Sequence, residues 1–173
     1  MDDVNHAVDL AKAELQATPP YHPSTLRRLG ALAAALAERF RRTQGHGIDD
    51  INQAIDLTSF SLVVTDPNHV NYAISLNNLA GYLTARFERT SWPEDINRAI
   101  EVCTRALETS AGVSHTRGLA LQTLSCCLAR RFEQTWQAQD LDRAVDAARE
   151  AVSLTASESV KALSNLGNMY FMR

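Results

Sequence analysis

Three kinds of side chain in this 173-residue sequence could do chemistry, and each recurs at a spacing that limits what it does. His22, His69 and His115 fall in successive turn-like segments. A metal ladder would need further ligands at i+3 or i+4, and none accompanies them, so they read as turn or helix-cap residues and no metal is expected. Cys103, Cys126 and Cys127 lack a Cys-x-x-Cys pattern. Adjacent helical residues point about 100° apart, so at most one of Cys126 and Cys127 faces a core, and packing thiols are expected. Arg39, Arg86, Arg131 and Arg173 form the third series. A basic ladder for an acidic ligand is one reading, but they read better as cations near helix C-termini with stems packed beside phenylalanine, and pairing with Asp95 or Asp140 of the following unit is a third reading. No phosphate loop, Gly-x-Ser-x-Gly elbow or metalloprotease motif occurs. His46, between Gly45 and Gly47, reads as a loop residue. No catalytic residue and no cofactor are expected.

Those residues sit inside a repeat. The string Leu-x-x-Leu-small-x-x-Leu-x-x-Arg-Phe-x-x-Thr runs through Leu29, Leu32, Ala33, Leu36, Arg39, Phe40 and Thr43. It returns from Leu76 to Thr90 and from Leu121 to Thr135, with a shorter copy at Leu163, Leu166, Gly167, Tyr170 and Arg173. A second string, Asp-apolar-x-x-Ala-apolar, begins at Asp3, Asp50, Asp95 and Asp140, in steps of 47, 45 and 45 residues. A fixed period of this size in an Ala/Leu-rich chain specifies stacked helices in which each unit packs on its neighbours. The expected fold is an all-α, right-handed solenoid of antiparallel helix hairpins. Eight helices are placed near residues 3–17, 24–42, 49–64, 69–89, 93–109, 115–136, 139–155 and 158–173. They make one domain, 1–173, with units of about 2–48, 49–94, 95–139 and 140–173, and the chain reads as a fragment of a longer array.

Within a unit, apolar and small residues recur three and four apart, as at Ile51, Ala54, Ile55, Thr58, Ser61 and Leu62, which sets one helical face inward. Asp50 with Gln53, and Ser91 with Glu94, have capping-box spacing, and Asp66-Pro67-Asn68 is a chain-turning breaker. Ala33, Ala80, Ser125 and Gly167 share one position, where a small residue lets two helix axes approach. Ala7, Ala54, Ala99 and Ala144 do the same on the short helices. A net charge of −3 and a pI near 5.9, without a basic stripe, argue against nucleic acid. No apolar run is long enough to span a membrane, and the acidic N-terminus is unlike a signal peptide. An odd cysteine count points to a reducing, cytoplasmic setting.

The pattern resembles the tetratricopeptide repeat, carried by Leu79, Ala80 and Leu83 on a long helix and by Ala99, Cys103, Ala106 and Leu107 on the following short one. That family's usual period is about 34 residues, so the units here are longer. Long units with Asn-Asn-Leu-Ala in the helix are similar to kinesin light chain repeats. The Arg-Phe-x-x-Thr string more closely resembles arrays beside CHAT protease or NTPase domains of fungi and actinobacteria. The resemblance implies protein recognition on the concave face, where the lining positions fall on Arg27, Gly30, Ala31, Asn77, Asn78, Gln122, Thr123, Cys126, Lys161, Ser164, Asn165 and Asn168. Of these, Arg27, Asn77, Asn78, Gln122, Lys161, Asn165 and Asn168 are the candidate contacts for a peptide or partner helix. The lysine-rich carboxylate clamp of some members is not reproduced. Two other roles are kept in view, a self-assembling module joined through its ends and an accessory part of a protease or NTPase.

Because no nucleophile–base pair or metal spacing occurs, the purified chain is expected to turn over no peptide, ester or nucleotide substrate and to carry no stoichiometric zinc. Turnover that survives repurification and vanishes with one point mutation would contradict this.

Overall fold

The computed structural model describes residues 2–19, 22–43, 47–110, 114–154 and 167. Seven helices are found among them: α1 (Asp2–Gln16), α2 (Thr25–Arg42), α3 (Ile48–Val64), α4 (Val70–Thr90), α5 (Pro93–Thr109), α6 (Ser114–Thr135) and α7 (Ala138–Leu154). Every boundary of the seven lies within a residue of the sequence expectation; the eighth helix, 158–173, falls outside the described residues except for Gly167, which is helical. Each helix packs on the next in sequence, and the long helices also touch one another, α2 on α4 and α4 on α6. The backbones of successive short helices do not approach one another in this way. A layer that closes on one side and opens on the other must curve, so the long helices form the concave side of an all-α solenoid.

The periodic residues are the core. Leu32, Leu36, Phe40, Leu79, Leu83, Phe87, Leu121, Leu128 and Phe132 are all buried in one cluster running through the array. Full burial of each such side chain stabilises the fold by roughly 1.5–3 kcal/mol. Ala33, Ala80 and Ser125 are 0% exposed, as are Ala54, Ala99 and Ala144, in keeping with close approach at these points. Two members of those series depart. Ala7 is exposed, because α1 has only α2 beside it among the described helices. Gly167 is also exposed, and a methyl group there would meet nothing within 4 Å, so close approach does not require that glycine.

The Arg-Phe-x-x-Thr string divides its labour. Phenylalanine fills the core, while threonine hydroxyls at 43, 90 and 135 donate back to the carbonyls of Arg39, Arg86 and Arg131 at 2.8, 2.9 and 3.0 Å. The chain then leaves the helix in the left-handed region at Ser91 (φ 56°) and Trp136 (φ 54°). Arginine holds the next unit. Arg86 donates from Nε and Nη2 to both carboxylate oxygens of Asp95, at 2.8 and 2.6 Å. Arg131 grips Asp140 at the same distances, and Arg39 grips Asp50 at 2.7 and 2.6 Å. The remaining Nη1 reaches backward, to Asn52 from Arg86 (2.8 Å) and to Asn97 from Arg131 (2.9 Å), with a longer reach of 3.5 Å from Arg39 to Asn5. One guanidinium therefore ties a long helix to the short helices before and after it.

This use of aspartate corrects two expectations. Asp50 is not an N-cap: α3 begins at Ile48 with Gly47 as its cap, and the Asp50 carboxylate is committed to Arg39. A methyl on Gly47 would come within 3.1 Å of that carboxylate, so the tight connection keeps the aspartate in place. Ser91 likewise caps the end of α4, and α5 starts from Trp92 with Pro93 in its first turn and no side-chain cap. Proline at that position loses no helical hydrogen bond.

Ala80→Leu should overpack the buried small-residue site and destabilise the chain by about 1–3 kcal/mol. Thermal melting within a degree or two of the parent would contradict close approach there.

Candidate functional site

The residues that first suggested chemistry have structural uses. His22 and His69 accept the backbone N–H two residues on, from Ser24 and Asn71 at 3.1 and 3.2 Å, and His69 is the N-cap of α4. His115 lies in the first turn of α6. No group of three or more metal-ligating side chains comes together among the described residues. The arginine series is not a free basic ladder, because Arg39, Arg86 and Arg131 are bound to Asp50, Asp95 and Asp140. Those hydrogen bonds raise each guanidinium above its ordinary value, against the opposing effect of desolvation. A raised value means the contribution is complete at neutral pH and is lost only in strong alkali. Arg173 lies outside the described residues.

Cys127 is buried and Cys126 half-buried, as adjacent helix positions demand. Cys127 also meets Thr84 Oγ1 at 3.2 Å and a hydrogen bond with Cys103, a pairing the sequence did not announce. That hydrogen bond, reinforced by burial, pushes the Cys103 thiol far up, so it stays protonated and poorly nucleophilic.

The concave face has a cleft of about 310 Å³ between α4 and α6, closed at one end by Arg41 at the end of α2. Gly81, Thr84 and Ala85 form one wall, and Gln122, Thr123 and Cys126 the other. The local cause is side-chain size: with glycine and alanine facing α6, the two helices meet through Cys127, Leu128 and Leu83 below and stay open above. Gly30 and Gly81 are in the interiors of α2 and α4, and a Cβ on either would meet no atom within 4 Å. Helix-interior glycine costs about 0.8–1 kcal/mol relative to alanine, and no internal packing contact requires it at these two positions.

Of the contacts expected from sequence, Gln122 lines this cleft. Asn77 lies one turn before Gly81 on the same helix, and its Oδ1 is buried without a hydrogen-bond partner. Asn78 and Arg27 are exposed on α4 and in the first turn of α2, and neither lines the cleft. Lys161, Asn165 and Asn168 fall outside the described residues. Thr84 and Arg41 are cleft residues that sequence reading missed. The available signal was position: Thr84 lies one turn beyond Ala80, on the flank of the small-residue stripe.

No protein-family model and no curated protein matches this chain. Among solved structures it is similar to a Podosopora anserina protein described as a kinesin light chain, with nearly identical TPR-like (tetratricopeptide-like) repeats. The TM-score is 0.66 and the identity 18%, over 97% of this chain and 78% of the other. A variant of the same array gives a TM-score of 0.67 at 18% identity, over 97% of this chain and 77% of the other. This likeness shows the fold: a helical solenoid of TPR-like repeats.

Proposed function

We propose that the chain is a non-catalytic protein-interaction scaffold that receives a peptide or partner helix in the concave face of its long helices. The carrying observation is the α4–α6 cleft, where two opposed walls offer the amide of Gln122 and the hydroxyls of Thr84 and Thr123 over a floor of small side chains. The Gln122 amide donates and accepts, while the Thr84 and Thr123 hydroxyls donate to the carbonyls of Ala80 and Leu119 and present their oxygens as acceptors, a mixture that suits the alternating N–H and C=O groups of a peptide backbone. Exposed glycines in helix interiors support the reading, because they let a ligand backbone come close.

Arg27 and Asn78 are assigned as flanking contacts, continued along the sequence by Lys161, Asn165 and Asn168. The resemblance of the Arg-Phe-x-x-Thr string to arrays beside CHAT protease or NTPase domains supports a role in regulating an effector. On this reading, all chemistry belongs to that effector and recognition belongs to the repeats.

The test uses two substitutions at Gly81 and one at Gln122. Gly81→Ala should raise stability by about 0.5–1 kcal/mol, because the methyl enters open space. Gly81→Trp should fill the cleft and leave the helical fold intact. On a peptide array, ligands held by the parent chain should be lost by Gly81→Trp and weakened about tenfold by Gln122→Ala. Ligands held equally by all three chains would overturn the concave-face assignment.

A further inference from the structure

The outer side of the array carries a second recess that the concave-face reading does not use. Because the backbones of successive short helices stay apart, α3 and α5 leave a cleft of about 550 Å³ between them, with α4 as its floor. Its apolar lining comes from Leu62 and Val63 on α3 and from Tyr72 and Leu76 on α4. Tyr72 and Leu76 are each only 1% exposed, whereas Val63 at the rim is 83% exposed and Phe60, one turn earlier, is 58% exposed. Exposed apolar surface beside a recess is the usual mark of a contact site.

Charge specifies the occupant. Arg98 and Arg105 line the same cleft from one face of α5. Among the described residues neither is paired with a carboxylate: Arg98 makes a 3.3 Å hydrogen bond to Ser59 Oγ, and Arg105 lies over the Tyr72 ring at 5.3 Å. The next unit is different. Forty-five residues on from Tyr72 and Arg105 stand Arg117 and Glu150, and these two form an ion pair at 2.7 Å. The position that is electrically closed between α6 and α7 is open and positive between α4 and α5. Seven helical residues place Arg98 and Arg105 about 10 Å apart along the axis. That matches two side chains three residues apart on an extended, polyproline II-type peptide, which rises about 3.1 Å per residue and returns to the same face every third residue. Glu101, on the same face between them, repels an acid in the middle of such a peptide.

We infer that the α3–α5 cleft is a docking site for an extended partner segment with two acidic side chains three residues apart and apolar side chains between them. The acids pair with Arg98 and Arg105, and the apolar residues cover Tyr72, Leu62 and Val63. The carboxylate pairs set specificity, and the apolar recess supplies the affinity.

Fluorescence polarisation of a labelled peptide with a Glu-Leu-Val-Glu core, against a matched Lys-Leu-Val-Lys peptide, tests the assignment at low ionic strength. The acidic peptide should bind about tenfold more tightly than the basic one. Arg98→Glu with Arg105→Glu should reverse that order, Val63→Asp should weaken the acidic peptide, and Glu101→Gln should strengthen it. Circular dichroism of these surface variants should match the parent, and Gly81→Trp should leave binding of this peptide unchanged, which separates the site from the concave face. Equal binding of the two peptides, or sensitivity to Gly81→Trp in place of the arginines, would overturn the inference. So would a dimer in sedimentation that the double charge reversal dissociates, because the occupant would then be a second copy of the chain.

Discussion

A single guanidinium with three helices on it sets the geometry of this protein. Arg86 holds Asp95 ahead and Asn52 behind, and Arg131 does the same with Asp140 and Asn97. Asp95 and Asp140 are 4% and 2% exposed, so each carboxylate has been taken out of water and depends on its arginine. Two parallel N–H to oxygen bonds also fix the angle between the groups, which a lysine would leave free. Because the same side chain touches the short helix on either side, the separation of short helices is fixed by the width of one guanidinium with its two partners. Long helices, facing one another through alanine, glycine and serine, come closer. The difference between the two layers is the curvature, and both clefts follow from it. On the inside, small side chains leave room above a closed core. On the outside, helices held apart leave room above a buried floor.

The fold was legible because its signals are periodic. Leucine, small-residue and phenylalanine positions return every 42 to 47 residues, and a buried face cannot drift without exposing its apolar side chains. Pairing between arginine and the next aspartate was one of three readings of the arginine series, and the structure selects it. Its asparagine arm was harder to see, although each arginine follows its asparagine by 34 residues. A contact that far away looks like nothing in the local pattern. The capping-box reading failed for a related reason: an aspartate near a helix start satisfies the local rule, but a bidentate arginine is the stronger claimant. Small residues were read correctly where helices face one another on both sides. They were over-read at Ala7 and Gly167, where the described structure brings no neighbour close.

Recognition lies where the repeats differ. The positions equivalent to Asn77 are Gly30 and Gln122, and those equivalent to Gly81 are Ala34 and Cys126, so the concave face changes along its length while the clamp stays constant. The outer face shows the same division. Tyr72 with Arg105 in one unit becomes Arg117 with Glu150 in the next, and a pair that spends its charge internally has none left for a partner. Such differences are invisible to a search for repeats, which keeps what recurs and discards the rest. Only the packed structure shows that two unrelated side chains, 33 residues apart in sequence, meet at one point.

The clamp itself is the claim on which the two faces depend, and a double-mutant cycle on Arg86 and Asp95 measures it most directly. Arg86→Ala and Asp95→Ala should each destabilise the chain by about 2–4 kcal/mol, since each leaves a partly or fully buried charge unpaired. The double variant should lose much less than their sum, with a coupling energy of about 2 kcal/mol. If the two losses add within about 0.5 kcal/mol, the pair is not what holds successive units together, and the curvature has another cause.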